Sequence, residues 1–177
     1  MLIFQRRKQH LVNHNILVPE QYGFQDSVST DTATYKLPET IFNTWNMKEY
    51  IAQIFFDLTM AFDCVNHELL LSQLKFFGVR GVILERLKSH LNNRKQRVDL
   101  KFTKTHSYSG WEIVKHGILQ GSVLSPLLFN TYINDFPKII NKLSHTILFA
   151  DDIITLVTST NYKGWIKSSG NFSIVLK

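Results

Sequence analysis

His145-Thr-Ile-Leu-Phe-Ala150-Asp151-Asp152-Ile-Ile-Thr-Leu-Val-Thr158 sets two runs of apolar and β-branched residues on either side of an acidic dipeptide. Such runs are strand formers, and an interruption of only two residues predicts a β-hairpin with both carboxylates at its tip. Asp is also a common turn residue, so the pair by itself is compatible with an ordinary turn. Asn-Gly or Asp-Gly would build a better tight turn, however, and adjacent carboxylates repel unless cations intervene.

Working outward, Ala52-Gln-Ile-Phe-Phe-Asp57-Leu58 is a further strand candidate, aromatic and β-branched, with one acid near its end. A charge there is costly unless it is exposed, paired or metal-bound, and a strand-end or helix-capping acid is the plain alternative. Taken together, Asp57, Asp151 and Asp152 supply oxygen ligands on strand ends. Two hard divalent cations require this donor set to drive an in-line phosphoryl displacement.

The segments between these strands read mostly as helices. Residues 36–50 are expected to form an amphipathic helix with Leu37, Ile41, Trp45 and Met47 inward and Pro38 in its first turn. Asn66 is a cap for a helix carrying Leu69, Leu70, Leu74 and Phe77, which Gly78 ends. A second helix is expected from Gly81 to Leu91, with Ile83, Leu84, Leu87 and Leu91 on one face. Arg97–Phe102 alternates as a half-buried strand does, and Trp111–Lys115 offers another strand, closed by Gly117. Ser122–Tyr132 reads as a buried helix despite Pro126. Residues 1–16 suggest a short basic helix, residues 19–34 a polar, turn-rich stretch, and residues 162–177 have no clear period.

Other residues carry weaker signals. Phe62, five residues after Asp57, has the usual fate of an aromatic in a core. Gln120-Gly121-Ser122 opens a helix: Gly121 allows close backbone approach and the helix start favours an anion, while a junction capped by Ser122 or Ser125 explains it equally. Arg94, Lys95, Arg97, Lys101, Lys104 and Lys115 form a basic stretch that is ordinarily a solvated face. The seven histidines lack metal-binding spacing and are read as structural.

Bulk properties bound the function. With 177 residues, 44% hydrophobic, the chain has material for one packed domain, or one and part of a second. Twenty Lys and Arg against 14 Asp and Glu give a net charge of +6, which suits a polyanion such as nucleic acid or an anionic membrane surface. One cysteine, Cys64, excludes an internal disulfide or a cysteine-based zinc site. There is neither a signal-peptide pattern nor a run of roughly 18 apolar residues that a membrane span needs. The chain is expected to be soluble and intracellular, with no membrane partner and with nucleus and cytoplasm undistinguished.

Three stretches, in order, carry a resemblance: Phe56-Asp57-Leu-Thr-Met-Ala-Phe62-Asp63, then Gly117-Ile-Leu-Gln120-Gly121-Ser-Val-Leu-Ser-Pro126, then Phe149-Ala150-Asp151-Asp152. They resemble motifs A, B and C of reverse transcriptases, and in detail those of jockey-type non-LTR retrotransposons. Val65-Asn-His67-Glu-Leu-Leu70, Gly78-Val-Arg-Gly81, Leu91-Asn-Asn-Arg94-Lys95-Gln-Arg-Val98 and Tyr132-Ile-Asn-Asp135 are similar to the intervening segments.

The resemblance implies an α+β fold: a polymerase palm with an antiparallel sheet and packed helices over 51–160, a partial fingers region over 1–50, and a divergent tail over 161–177. It implies an RNA-directed DNA polymerase that uses two Mg2+ ions, with Mn2+ as an alternative, an RNA template, a DNA primer and deoxynucleoside triphosphates. Asp57 and Asp151 would ligate the metals and Asp152 complete the cluster. Phe62 would crowd a ribose 2′-hydroxyl, Gln120 and Gly121 would contact the nucleotide, and Ala150, with Arg94 and Lys95, would contact nucleic acid.

The departures are specific. Leu119 stands where the family usually has Pro. In Gln21-Tyr-Gly-Phe-Gln25, Gln25 replaces an Arg that meets the triphosphate, and Asp26 follows where a basic residue is common. Too few residues follow Asp152 for a thumb, so the isolated chain is expected to be inactive. A decayed transposon remnant binding RNA passively is the alternative. Phe62 and Gln120-Gly121 argue against other two-metal palms such as nucleotide cyclases or RNA-directed RNA polymerases.

Overall fold

A computed structural model of the chain describes residues 16–25, 28–102, 105–140 and 144–161. The expected N-terminal basic helix and the residues from 162 onward lie outside the described residues, apart from Ile16. The chain divides into two compact units, one containing 60–132 and the other 16–59 and 133–161.

The second of these is built on a three-stranded antiparallel sheet. Strand β1 (Tyr50–Asp57) pairs with β7 (Asp152–Ser159), which pairs with β6 (Ser144–Phe149), in the order β1-β7-β6. The central strand β7 is buried on both faces: Ile153, Thr155, Leu156 and Val157 are all inaccessible, which explains its continuous apolar run. Each such large aliphatic side chain contributes about 1.5–3 kcal/mol by burial. Beside β6, Tyr22 N donates to Leu148 O (2.7 Å) and Leu148 N donates to Glu20 O (2.8 Å), so residues 20–22 cover that edge.

Helix α1 (Thr30–Asn46) lies against β1 and β6. It begins six residues before the expected start, because Ser29 and Thr32 form a capping box that satisfies the first orphan N–H groups. Pro38 therefore sits inside the helix rather than in its first turn. Trp45 and Met47, expected inward, are 73% and 70% exposed. The most buried positions are Ala33 and Thr44, on the same face as Leu37 and Ile41, which are half-buried as expected. The short helix α5 (Phe136–Ile139) presents Phe136 edge-on to Phe56, with centroids 6.2 Å apart.

The 60–132 unit packs three helices: α2 (His67–Phe76) against α3 (Val82–Leu91) and α4 (Ser125–Tyr132). Asn66 caps α2 by accepting from Leu69 N at 3.0 Å, and Gly78, at φ 86°, follows its end. Leu70, Leu74, Leu87, Leu91, Leu127, Leu128 and Phe129 make the core. Leu69 and Ile83, also expected on the buried faces, are 49% and 41% exposed.

Two small ribbons complete this unit: β2 (Lys95–Gln96) with β5 (Glu112–Ile113), and β3 (Asp99–Lys101) with β4 (His106–Tyr108). The expected half-buried strand over Arg97–Phe102 is shorter and fully exposed, with Val98, Leu100 and Phe102 each more than half accessible. Alternation creates an apolar side on a strand, but no described element covers it here. The expected strand over Trp111–Lys115 likewise reduces to Glu112–Ile113. No helix among the described residues is long and apolar enough to cross a membrane.

Candidate active site

The β1–β7 register carries Tyr50↔Ser159 through to Asp57↔Asp152, so two carboxylates face each other at one end of the pair. Directly opposed residues share a face with Cβ atoms roughly 4.5–5.5 Å apart, and like charges so placed destabilise the pair. Both acids are exposed to solvent.

The hairpin tip differs from expectation by one residue. Phe149 pairs with Asp152, so the turn is Ala150-Asp151 and Asp152 begins the strand. Ala150 has φ 56°, and positive φ at the first turn position alone is the φ signature of a type II′ turn, ordinarily occupied by Gly. Asp151 is half-buried next to the opposed pair. The turn is held from below: Gln21 Oε1 accepts from Gly23 N at 2.7 Å and from Ala150 N at 3.1 Å.

Among the described residues, no three His, Cys, Asp or Glu side chains converge into a ready-made metal cage. The donors of Asp57, Asp151 and Asp152 are all hard oxygens, and among the described residues no Lys, Arg or His forms an ion pair with Asp57 or Asp152, so the donor chemistry suits a divalent ion.

Phe62, Gln120 and Gly121 belong to the 60–132 unit, where two segments run side by side. Ile118 N donates to Phe62 O (2.9 Å) and Gly117 N to Val65 O (2.8 Å). A Cβ on Gly117 would lie 2.8 Å from Asp63 O, and the buried His67 Nε2 bonds Gly117 O at 2.7 Å. Phe62 stacks on Phe129 with centroids 4.6 Å apart and is half-buried, as a packing aromatic is. Gln120 is exposed and reaches Asp63, and Gly121 is exposed at φ 79°. Ser122 Oγ accepts from Ser125 N at 3.1 Å, so the junction is also capped as an ordinary helix start. Arg94 and Lys95 sit at the β2–β5 ribbon, with Arg94 O accepting from Val114 N. Of the basic stretch, Arg97 lies over the rings of Tyr108 and Trp111, at 4.3 and 4.7 Å from their centroids. Lys104 and Asp26 lie outside the described residues. Gln25 Nε2 donates to Gln21 O at 2.8 Å and brings no cation.

Residues 3–168 match the family described as reverse transcriptase (RNA-dependent DNA polymerase). The chain belongs to the reverse transcriptase family.

Its relatives include a probable RNA-directed DNA polymerase from transposon BS of Drosophila melanogaster, 33% identical over 77% of this chain and 14% of the relative. An RNA-directed DNA polymerase from mobile element jockey of Drosophila funebris is 29% identical over 79% of this chain and 15% of its own length. The chain thus spans about one seventh of these relatives. Among solved structures, telomerase from Candida albicans, in complex with a TWJ fragment of telomeric RNA, superposes with a TM-score of 0.65 at 13% identity. The match covers 96% of this chain and 32% of that one. Apo telomerase from Candida tropicalis, truncated from its C-terminal domain, gives 0.63 at 17% identity, over 96% of this chain and 35% of that one. These likenesses establish the α+β palm fold of a reverse transcriptase. Enzymes of this family use divalent metal ions and act on a nucleic-acid template.

Gln21 is the residue at this site that sequence reasoning passed over. It lies 129 positions from Ala150, and no spacing rule links a glutamine to so distant a turn.

Proposed function

We propose that this chain is the palm portion of an RNA-directed DNA polymerase of a retrotransposon, which extends a DNA primer on an RNA template from deoxynucleoside triphosphates. The observation that carries the reading is the opposition of Asp57 and Asp152 beside the Asp151 turn, in a chain of this family. Asp57, Asp151 and Asp152 would hold two Mg2+ ions, with Mn2+ as an alternative. When bound, such ions activate a 3′-hydroxyl and neutralise the departing pyrophosphate.

The remaining roles fall to the chain's own groups. Asp57 and Asp152 present carboxylate oxygens from paired strand ends, so their separation is set by the ladder rather than by a mobile loop. Ala150, small and buried in the turn, would leave room for the primer end beside the acids. Phe62 would crowd the sugar 2′ position from its stack on Phe129, excluding ribonucleotides. Gln120 and Gly121 would contact the incoming nucleotide and its template base, and Arg94 and Lys95 the phosphate backbone. The 16–25 segment would belong to the fingers. The enzyme would act inside the cell.

Gln25 favours a second reading, in which this copy has lost catalysis and binds RNA passively. Primer extension distinguishes them. The matching segment of the transposon BS polymerase is replaced by this chain's residues and assayed on a primed RNA template. Extension abolished by Asp151→Asn is the expected result. An inert chimera that stays inert after Gln25→Arg, while still binding RNA, would establish the passive reading.

A further inference from the structure

Gln21 is 3% exposed and sits in the 20–22 segment that Leu148 holds by backbone hydrogen bonds on both sides. Its Oε1 accepts two N–H groups at once, from Gly23 and from Ala150. Ala150 is itself 7% exposed at positive φ, so without Gln21 its amide would be a buried donor deprived of that acceptor. Gly23 completes the contact, because any Cβ there would overlap the Ala150 amide nitrogen. The far end of the same side chain is unsatisfied: Gln21 Nε2 is buried with no partner among the described residues. An apolar isostere such as Met would avoid that buried orphan. The function of the glutamine is therefore its carbonyl oxygen, aimed at the two backbone amides under the acidic turn.

We propose that Gln21 is a positioning residue for the carboxylates: by fixing the Ala150 amide it sets where Asp151 and Asp152 stand relative to Asp57. The proposal rests on the reading of these acids as the metal site. Gln21 does not touch metal or substrate; it acts through Ala150, as outer partners act on metal ligands elsewhere.

The test uses the full 177-residue chain, isotope-labelled, with backbone amide exchange and Mn2+ affinity by electron paramagnetic resonance measured on the same samples. In Gln21→Met, the Ala150 and Gly23 amides are expected to exchange faster, while Ile54 and Thr155 in the β1–β7 ladder keep wild-type rates. Mn2+ affinity is expected to fall by roughly tenfold or more, as for loss of an outer partner of a metal ligand. Gln21→Glu keeps oxygens for the same two N–H groups and is expected to preserve Ala150 protection; it carries the test should Gln21→Met not fold. Faster Ala150 exchange in Gln21→Glu, or unchanged Mn2+ affinity in a folded Gln21→Met, overturns the proposal while leaving the metal site standing. Wild-type Mn2+ binding that ignores Asp57→Asn overturns the site reading itself, and the proposal with it.

Discussion

Asp57 and Asp152 occupy directly opposing positions at the last rung of the β1–β7 ladder. Their mutual repulsion is built into the fold, so neutralising either should stabilise the metal-free chain while removing a ligand. Asp57→Asn or Asp152→Asn is expected to raise metal-free stability by about 0.2–1 kcal/mol, the scale of a cross-strand charge pair. Urea unfolding in chelator measures it. A loss of stability in both variants would mean that these carboxylates serve the fold instead.

Ala150 adopts φ 56° in a buried turn, where a β-branched side chain is an outlier. Ala150→Val is expected to cost about 1–3 kcal/mol, the scale of strain at such positions. Ala150→Gly, which reaches that conformation freely, should be neutral or stabilising. Thermal melts of the two variants check the order, and equal melting temperatures would contradict the assigned turn.

Phe62 stacks on Phe129, so its replacement has a structural effect apart from any catalytic one. Phe62→Val should lose about 0.5–1.5 kcal/mol of ring–ring interaction beyond the buried area. In the polymerase chimera, the same change should increase ribonucleotide incorporation relative to deoxynucleotide. Intact polymerisation with unchanged sugar selectivity would leave Phe62 as packing only.

Gln25 supplies a carboxamide where a cation would meet the triphosphate. Gln25→Arg in the chimera is expected to lower the KM for deoxynucleoside triphosphates, on the scale of one charged hydrogen bond, about 1.5–3 kcal/mol. Steady-state kinetics at varied nucleotide concentration measure this, and an unchanged KM would place position 25 away from the nucleotide.

The strands of the three-stranded sheet are legible because period and composition speak locally. The runs flanking Asp151-Asp152 read as a hairpin, and Asn66 and Gly78 marked the limits of α2. The turn slipped by one residue because Ala150 at positive φ is a strained choice, and its support, Gln21, is distant in sequence. The start of α1 is hidden in the sequence because Ser29 and Thr32 cap through hydroxyls within a polar, turn-rich stretch. On α1 the expected inward residues divide: Leu37 and Ile41 are half-buried on the face that carries Ala33 and Thr44, whereas Trp45 and Met47, near the helix end, are exposed. The ribbon strands show the limit of alternation, which specifies a two-sided strand but not what covers either side.

The central claim is that Asp57, Asp151 and Asp152 act together on divalent ions, and a double-mutant cycle on Mn2+ binding tests it most directly. Residues sharing one ion are strongly non-additive. The account predicts that Asp57→Asn and Asp151→Asn each weaken Mn2+ binding severely, and that the double variant binds hardly less well than either single one. Additive losses, or binding that survives Asp57→Asn, would contradict it.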